Sequence, residues 1–389
     1  MTSLFHTPSY ITITCHNRLS DYLAKEVEAL GYELLDTFLT GVVIRGDLND
    51  CIRLNIHLRC ASQVLYSLMS FNARNADQVY EAAKELPWEE IIGQNPYFSI
   101  TSNVRNKTIN NNLFANLRVK DAIMDYYKEE GFDRPETGSD LIGSVIHLHW
   151  EENEAELFLN TSGPSLGRHG YRKIPGQAPM LEALAAATIL ASNWKPCQAF
   201  VNPMCGSGTL AIEAALIASN TPPGLFRIDY AFMHLMGYDE AIYYKEVSLA
   251  EEKIIEKPNT TIIASDMNPT AIENAKKNAI AAGIKDWIQF EVCDFAETSL
   301  PNENKGVLFM NPEYGLRLGD VQDLEATYKR IGDFFKNEGV GYTGYIFTGN
   351  LELAKKIGLK AKRRIPFFNS KIDCRLLEYE LYEGTKSEK

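Results

Sequence analysis

The 389-residue sequence has no apolar run near the roughly 18 residues that a membrane-spanning helix needs, so no such span is expected. It has no CxxC pair. Its seven cysteines (15, 51, 60, 197, 205, 293 and 374) are scattered and odd in number, which points to reduced thiols in a cytoplasmic protein and away from a zinc site or a disulfide frame. The opening MTSLFHTPSYITITCHNRL lacks a basic segment followed by an apolar one, so no signal peptide is expected. Low-complexity tracts and internal repeats are missing too. Positive charge is scarce: the formal net charge is −12, which excludes nucleic-acid binding through a globally basic surface and leaves only local basic stretches. What is present is ordinary globular composition, 45% hydrophobic and 23% charged, long enough for two or three domains.

Residues up to about 160 read as small α+β units. Strands are expected at Tyr10–Cys15, Val42–Arg45 and Ser144–Trp150, with a helix over Ser20–Leu30 stopped by Gly31. His147 and His149 alternate on one strand face, but without a third ligand nearby the spacing favours a structural role over a metal site. Residues 161–180 hold four glycines and three prolines and read as a linker or structured loop. Beyond them an Ala-rich helix, Leu181–Ser192, precedes four short apolar strands: Ala199–Asn202, Thr261–Asp266, Ile288–Asp294 and Val307–Asn311. Helical stretches separate several of these, the pattern of a parallel, doubly wound sheet. In such a sheet ligands bind beyond the carboxyl ends of the strands, so four turns matter.

The first is VNPMCGSGTLAIEAALIAS, where Gly206 and Gly208 permit a tight loop and Thr209 opens a helix whose free N–H groups can face a ligand. No Lys-Ser/Thr follows, which excludes a P-loop. In the second, Asp266 closes a strand and Asn268 and Pro269 suit a helix start; the carboxylate could accept from a ribose diol or serve as a turn residue. Gly208 and Asp266 lie 58 positions apart, so residues 219–260 read as an insertion and a nicotinamide dehydrogenase is disfavoured. In the third, Asp294 and Phe295 could hold and cover an adenine, or be a loop carboxylate beside a core ring. The fourth, VLFMNPEYGLRLGD, brings Asn311, Pro312, Glu313 and Tyr314 to a strand end. There an amide oxygen and a main-chain carbonyl could accept from an exocyclic amine while Tyr314 stacks on the base.

The first and fourth turns together resemble motifs I and IV of class I S-adenosylmethionine-dependent amino-methyltransferases, whose motif IV reads [DN]-P-P-[YFW]. More closely, VKDAIMDYY (119–127), SGPSLGRHGYRKIPGQAPMLEALAAA (162–187), NPMCGSGTLAIEAA (202–215) and NPEYGLRLGD (311–320) resemble the THUMP-domain RNA guanine-N2 methyltransferases of the bacterial 23S rRNA type. The resemblance implies a C-terminal Rossmann-like methyltransferase sheet (181–389), preceded by a ferredoxin-like segment (1–55), a THUMP module (56–160) and a linker (161–180). It further implies that Asn202, Pro203, Gly206 and Gly208 line the methionine end of S-adenosyl-L-methionine, Asp266 the ribose, and Asp294 with Phe295 the adenine. Asn311, Pro312 and Tyr314 would hold the target base, and Gln177–Met180 would cover the cofactor. Two departures stand out: Asn202 replaces the family's usual Asp, and Glu313 replaces the second proline.

The implied activity is methyl transfer to the N2 amine of a guanosine in RNA. The expected partner is 23S rRNA or a pre-ribosomal particle; tRNA is an alternative, as is a non-catalytic ribosome-assembly factor with a decayed cofactor site. Three acid-poor stretches could meet phosphates: Arg105, Lys107, Arg118 and Lys120; Arg168, Arg172 and Lys173; and the eight cations of residues 351–375. The sequence leaves the oligomeric state open.

Overall fold

A computed structural model describes residues 4–106, 109, 111–174, 180–315 and 321–383. The chain forms two compact units. The first takes residues up to Cys15, then Leu23–Leu166 and Arg227–Ala250. The second takes His16–Tyr22, Gly167–Phe226 and the chain from Glu251 onward.

Unit 1 is built on strands β1 (Ser9–Cys15), β2 (Asp36–Phe38), β3 (Gly41–Gly46), β4 (Ala61–Asn72), β5 (Tyr97–Arg105), β6 (Glu136–Gly138), β7 (Ser144–Glu151) and β8 (Glu154–Asn160). They form one eight-stranded sheet in the order β2-β3-β1-β4-β8-β7-β5-β6. Helices α1 (Ser20–Ala29), α2 (Leu48–His57), α3 (Ala76–Lys84), α4 (Trp88–Ile92) and α5 (Asn112–Glu129) intervene in chain order. Period-two alternation buries Ile11, Ile13 and Cys15 of β1, and Ile146, Leu148 and Trp150 of β7. Long β4 pairs with β1 on one side and β8 on the other, so the sheet runs unbroken across the boundary expected at residue 55. His147 lies half-buried on β7 with Nδ1 2.8 Å from the Thr101 hydroxyl.

Residues Arg227–Ala250, expected within the C-terminal domain, belong instead to unit 1. The reason is local. Arg227 donates to the carbonyls of Ser162 and Pro164, each at 3.0 Å, the Tyr230 and Phe232 rings stack at 4.9 Å, and the Met236 N–H reaches the Ile91 carbonyl at 2.9 Å. A segment read as an insertion between two strands therefore fills the other unit's core.

Unit 2 carries the strands β9 (Phe200–Pro203), β10 (Ile262–Asp266), β11 (Ile288–Val292), β12 (Val307–Met310), β13 (Thr343–Thr348), β14 (Arg363–Asn369) and β15 (Ile372–Glu380). Its helices are α6 (Glu182–Ala191), α7 (Thr209–Ala218), α9 (Pro269–Ala281), α10 (Val321–Asn337) and α11 (Leu351–Lys355), while α8 (Glu240–Glu251) belongs but for its last residue to unit 1. The sheet order is β11-β10-β9-β12-β13-β15-β14. Strands β11 to β13 in that order are parallel, and β15 and β14 antiparallel. The order reverses between β9 and β12, and at such a switch point the loops diverge and leave a crevice.

Packing fixes that crevice from both faces. Val201, Leu308, Met310 and Ile346 meet Tyr328, Ile331 and Phe335 of α10, whose three-and-four spacing makes one apolar stripe. A ladder of rings crosses the sheet, Phe200 on Phe309 at 5.7 Å and Phe309 on Tyr345 at 5.5 Å. Ala-rich α6 lies against α7, small side chains allowing close approach.

Candidate active site

The turn after β9 takes three positive φ angles, Met204 (56°), Gly206 (57°) and Gly208 (83°), before α7 begins. The two glycines serve differently. A β-carbon on Gly208 would lie 2.9 Å from that of Ala275 on α9, whereas one on Gly206 would meet nothing within 4 Å. Gly208 is thus a packing requirement, and Gly206 leaves an open face beside the first-turn N–H groups of α7.

Asp266, at the end of β10, joins this loop to the next. One carboxylate oxygen accepts from the Gly206 N–H at 3.0 Å and the other from the Asn268 N–H at 2.9 Å. Asn268 in turn caps α9 through the Thr270 N–H.

Asn202 sits where β9 and β12 part. Their ladder ends at Leu308 opposite Val201, and the Asn202 amide then donates to the Phe309 carbonyl at 2.7 Å. The residue is fully buried, and its Oδ1 has no hydrogen-bond partner. Pro203, also buried, ends the strand.

At the end of β12, Asn311 likewise carries a buried, unpartnered Oδ1. Pro312 is buried and Glu313 is exposed. Tyr314 is anchored from two sides: its hydroxyl accepts from the Asn369 amide at 2.8 Å, and its ring lies where a β-carbon on Gly349 would come within 3.2 Å. Burial raises its phenol above the usual range. The rest of the motif, residues 316–320, lies outside the described residues.

Asp294 and Phe295 are committed within the protein. Asp294 accepts from the Ala296 N–H and pairs with Arg330 of α10 at 2.7 Å. Phe295 is 5% exposed, edge-on to Phe334 at 6.1 Å, with the Arg330 guanidinium 4.8 Å from its ring centre. The ring is therefore packed as a core side chain.

Two more expectations change. Arg172 is not a free cation: it donates to the Met180 carbonyl at 2.5 Å and to the Thr209 hydroxyl at 2.9 Å, and faces the buried Glu182 at 3.4 Å. It ties α6 to the start of α7. Five of the eight cations in 351–375 are held by carboxylates: Lys355 by Glu352, Lys356 by Glu325, Lys362 by Glu380, Arg363 by Glu378 and Arg375 by Asp373. Arg168 and Lys173 are exposed in unit 2 and Arg105 in unit 1; Lys107 lies outside the described residues, as do residues 177–179 of the expected covering segment.

Sequence reasoning passed over Asn278 of α9. Its Oδ1 accepts from the N–H groups of Lys173 and Ile174 at 3.0 Å, and its amide donates to the carbonyls of Ile174 and Ser207. One buried side chain therefore pins the segment entering 175–179 to the glycine loop. Beneath α7, Glu213 accepts from Tyr171 at 2.8 Å and lies 2.8 Å from His169 Nδ1, all three buried.

A Rossmann-like sheet with a glycine loop, an acidic second strand end and an Asn-Pro turn at the switch point defines a methyltransferase architecture. The chain belongs to the UPF0020 family, whose RMKL-like methyltransferase domain matches residues 169–378. The RlmL ferredoxin-like domain matches 10–65 and the THUMP domain 73–160. Among relatives, "Ribosomal RNA large subunit methyltransferase K/L" of Syntrophotalea carbinolica is 35% identical over 93% of this chain and 52% of its own length. The chain thus spans about half of that relative. "Putative RNA methyltransferase slr0064" of Synechocystis is 32% identical over 92% of this chain and 93% of its own length. The crystal structure of SMU.472 complexed with SAH (S-adenosylhomocysteine) superposes with a TM-score of 0.87 at 27% identity, over 97% of this chain and 99% of that one.

Proposed function

We propose that this protein transfers a methyl group from S-adenosyl-L-methionine to the N2 amine of a guanosine in RNA, with 23S rRNA or a pre-ribosomal particle as its substrate. The observation that carries the reading is the Asn311 Oδ1, a buried acceptor with no partner at the switch point, three residues before a tyrosine ring held in place. A K/L-named relative and a neighbour solved with SAH support the same chemistry.

The residues at the first two strand ends fit the cofactor. Gly206 leaves space for it, the first turn of α7 offers N–H donors to its carboxylate, and Asp266 has acceptor oxygens for its ribose. Asn202, with an orphaned Oδ1, would accept from its ammonium in place of a carboxylate. When bound, the cofactor supplies an electrophilic methyl group on a sulfonium. Asp294, already paired with Arg330, has an oxygen left for an adenine amine.

The chain's own part is orientation. A guanine amine is a weak nucleophile because its lone pair is delocalised into the ring. Asn311 Oδ1 and the Pro312 carbonyl would accept hydrogen bonds from its two N–H groups and turn the lone pair out of the ring. The methylated amine, acidic only after transfer, would then release one proton to solvent, so catalysis would come from proximity and from stabilising positive charge on nitrogen. Tyr314 stacks on the base, which must be single-stranded or flipped out of a helix to arrive there. The exposed Glu313 carboxylate would accept from the guanine N1–H. Arg168, Lys173 and Arg105 remain as phosphate contacts.

The test is nucleoside mass spectrometry of separated rRNA and tRNA from cells with and without the gene. Loss of N2-methylguanosine from the 23S fraction is the expected result. Loss from tRNA would replace the substrate, and no change in any nucleoside would overturn the activity.

A further inference from the structure

Unit 2 contains a cavity of about 890 Å³ whose walls come from distant parts of the chain: Asn17, Arg168 to Arg172 with Leu181 to Leu184, and the β14–β15 turn with Asn369 and Lys371. We propose that this cavity is a nucleotide subsite that receives the nucleotide adjoining the methylated one, its phosphodiester held between Arg168 and Lys371. The inference rests on the RNA reading above and adds to it where the substrate strand runs.

Charge is the first argument. Arg168 and Lys371 are exposed and come from two basic stretches separated by some two hundred residues in sequence, and the fold brings them to one cavity. Most of their basic neighbours are consumed: Arg172 faces Glu182, and Arg375 is held by Asp373. Glu182, the carboxylate among the lining residues, is 2% exposed and sits 3.4 Å from the Arg172 guanidinium, so the charge that a ligand meets is positive.

Polarity is the second. Asn17 is among the lining residues, and its buried Oδ1 has no hydrogen-bond partner. An acceptor beside two cations suits a group with both phosphate and hydroxyl or amine donors, which describes a nucleotide better than an inorganic anion.

Connection to the target is the third. Asn369 lines the cavity and, through its amide, holds the Tyr314 hydroxyl at 2.8 Å. A strand that places one base on Tyr314 therefore has its next phosphate within reach of the same turn. The turn is firmly supported. Arg18 binds Asp373 at 2.5 Å and lies 4.2 Å over the Phe368 ring, and Tyr22 stacks on Phe367 at 5.6 Å.

The experiment measures binding of a fluorescein-labelled, mixed-sequence single-stranded decaribonucleotide to the full chain by anisotropy across a potassium chloride series. Three proteins are compared: wild type, R168A/K371A, and K360A/R364A as a control that removes two cations outside the cavity. Thermal melts establish that all are folded. The expected result is at least tenfold weaker binding for R168A/K371A at low salt. Its salt dependence should be shallower by about 1.4, two contacts at about 0.7 each for a single strand. The control should bind like wild type. Equal affinity for R168A/K371A and wild type, or equal losses in both variants, would overturn the subsite. A wild type that does not bind the oligonucleotide would overturn it together with the RNA reading. If R168A/K371A binds normally while Asn311→Ala abolishes methylation, the subsite alone fails.

Discussion

The Gly206 N–H donates to a carboxylate oxygen of Asp266 at 3.0 Å, linking the first and second strand ends of the methyltransferase sheet. The same carboxylate accepts from Asn268, so a single side chain shapes both the glycine loop and the start of α9. Hydrogen bonds to a charged group contribute about 1.5–3 kcal/mol each. Asp266→Ala is therefore expected to weaken SAH binding by ten- to a hundredfold on the order of these energies, measured by calorimetry. Asp266→Asn, which keeps one acceptor, should fall between. Unchanged affinity in the alanine variant would remove Asp266 from the cofactor site.

The two loop glycines separate sterics from ligand approach. Gly208→Ala forces a β-carbon to 2.9 Å from Ala275 at a φ of 83°, and should lower the melting temperature by several degrees, corresponding to about 1–3 kcal/mol of strain and clash. Gly206→Ala meets nothing within 4 Å and should cost only about 1 kcal/mol in stability. Its larger effect is expected on SAH affinity, because the added methyl points into the space assigned to the ligand. Equal melting temperatures for the two variants would refute the division.

Asn311→Ala should abolish methyl transfer, by a factor of at least about a hundred if orientation and charge stabilisation act as assigned, while leaving SAH affinity within twofold. Single-turnover assays on wild-type and variant enzyme give the first number and calorimetry the second. Transfer at the wild-type rate would mean that the acceptor base lies elsewhere.

Unit 1 carries a pH-dependent element on β7. Burial lowers the His147 pKa from 6.5 to about 4, with His149 adding a smaller effect in the same direction. Between those values the unfolded chain binds more protons than the folded one, so this contribution is complete above pH 6.5 and is lost as pH falls toward 4. His147→Gln should flatten that part of the stability profile, followed by urea midpoints from pH 7 to pH 4. A profile parallel to wild type would assign the acid sensitivity to other groups.

Much of the catalytic sheet is legible in the sequence because its strands are short, apolar and punctuated. The expected strand Val307–Asn311 is observed as Val307–Met310, and Thr261–Asp266 as Ile262–Asp266. Glycine, Asp and Asn-Pro mark their ends by backbone chemistry that acts locally. What sequence could not show depends on long-range closure. Arg330 meets Asp294 across 36 residues, Asn369 meets Tyr314 across 55, and Arg18 meets Asp373 across 355. Basic runs misled for the same reason: a run of cations signals phosphate binding only until carboxylates elsewhere in the chain fold onto it, as they do onto Arg363 and Lys362.

The shared strand β4 sets how the amino-terminal modules can be handled. Because it is stitched to β1 along one side and to β8 along the other, the ferredoxin-like and THUMP segments have no seam at which to be cut. A fragment ending after β4 would present the side of that strand that normally meets β8, a bare edge of unpaired amides and carbonyls inviting self-association. Excision of either segment should therefore yield aggregates, and the smallest soluble piece of this half should be the whole eight-stranded sheet together with Arg227–Ala250.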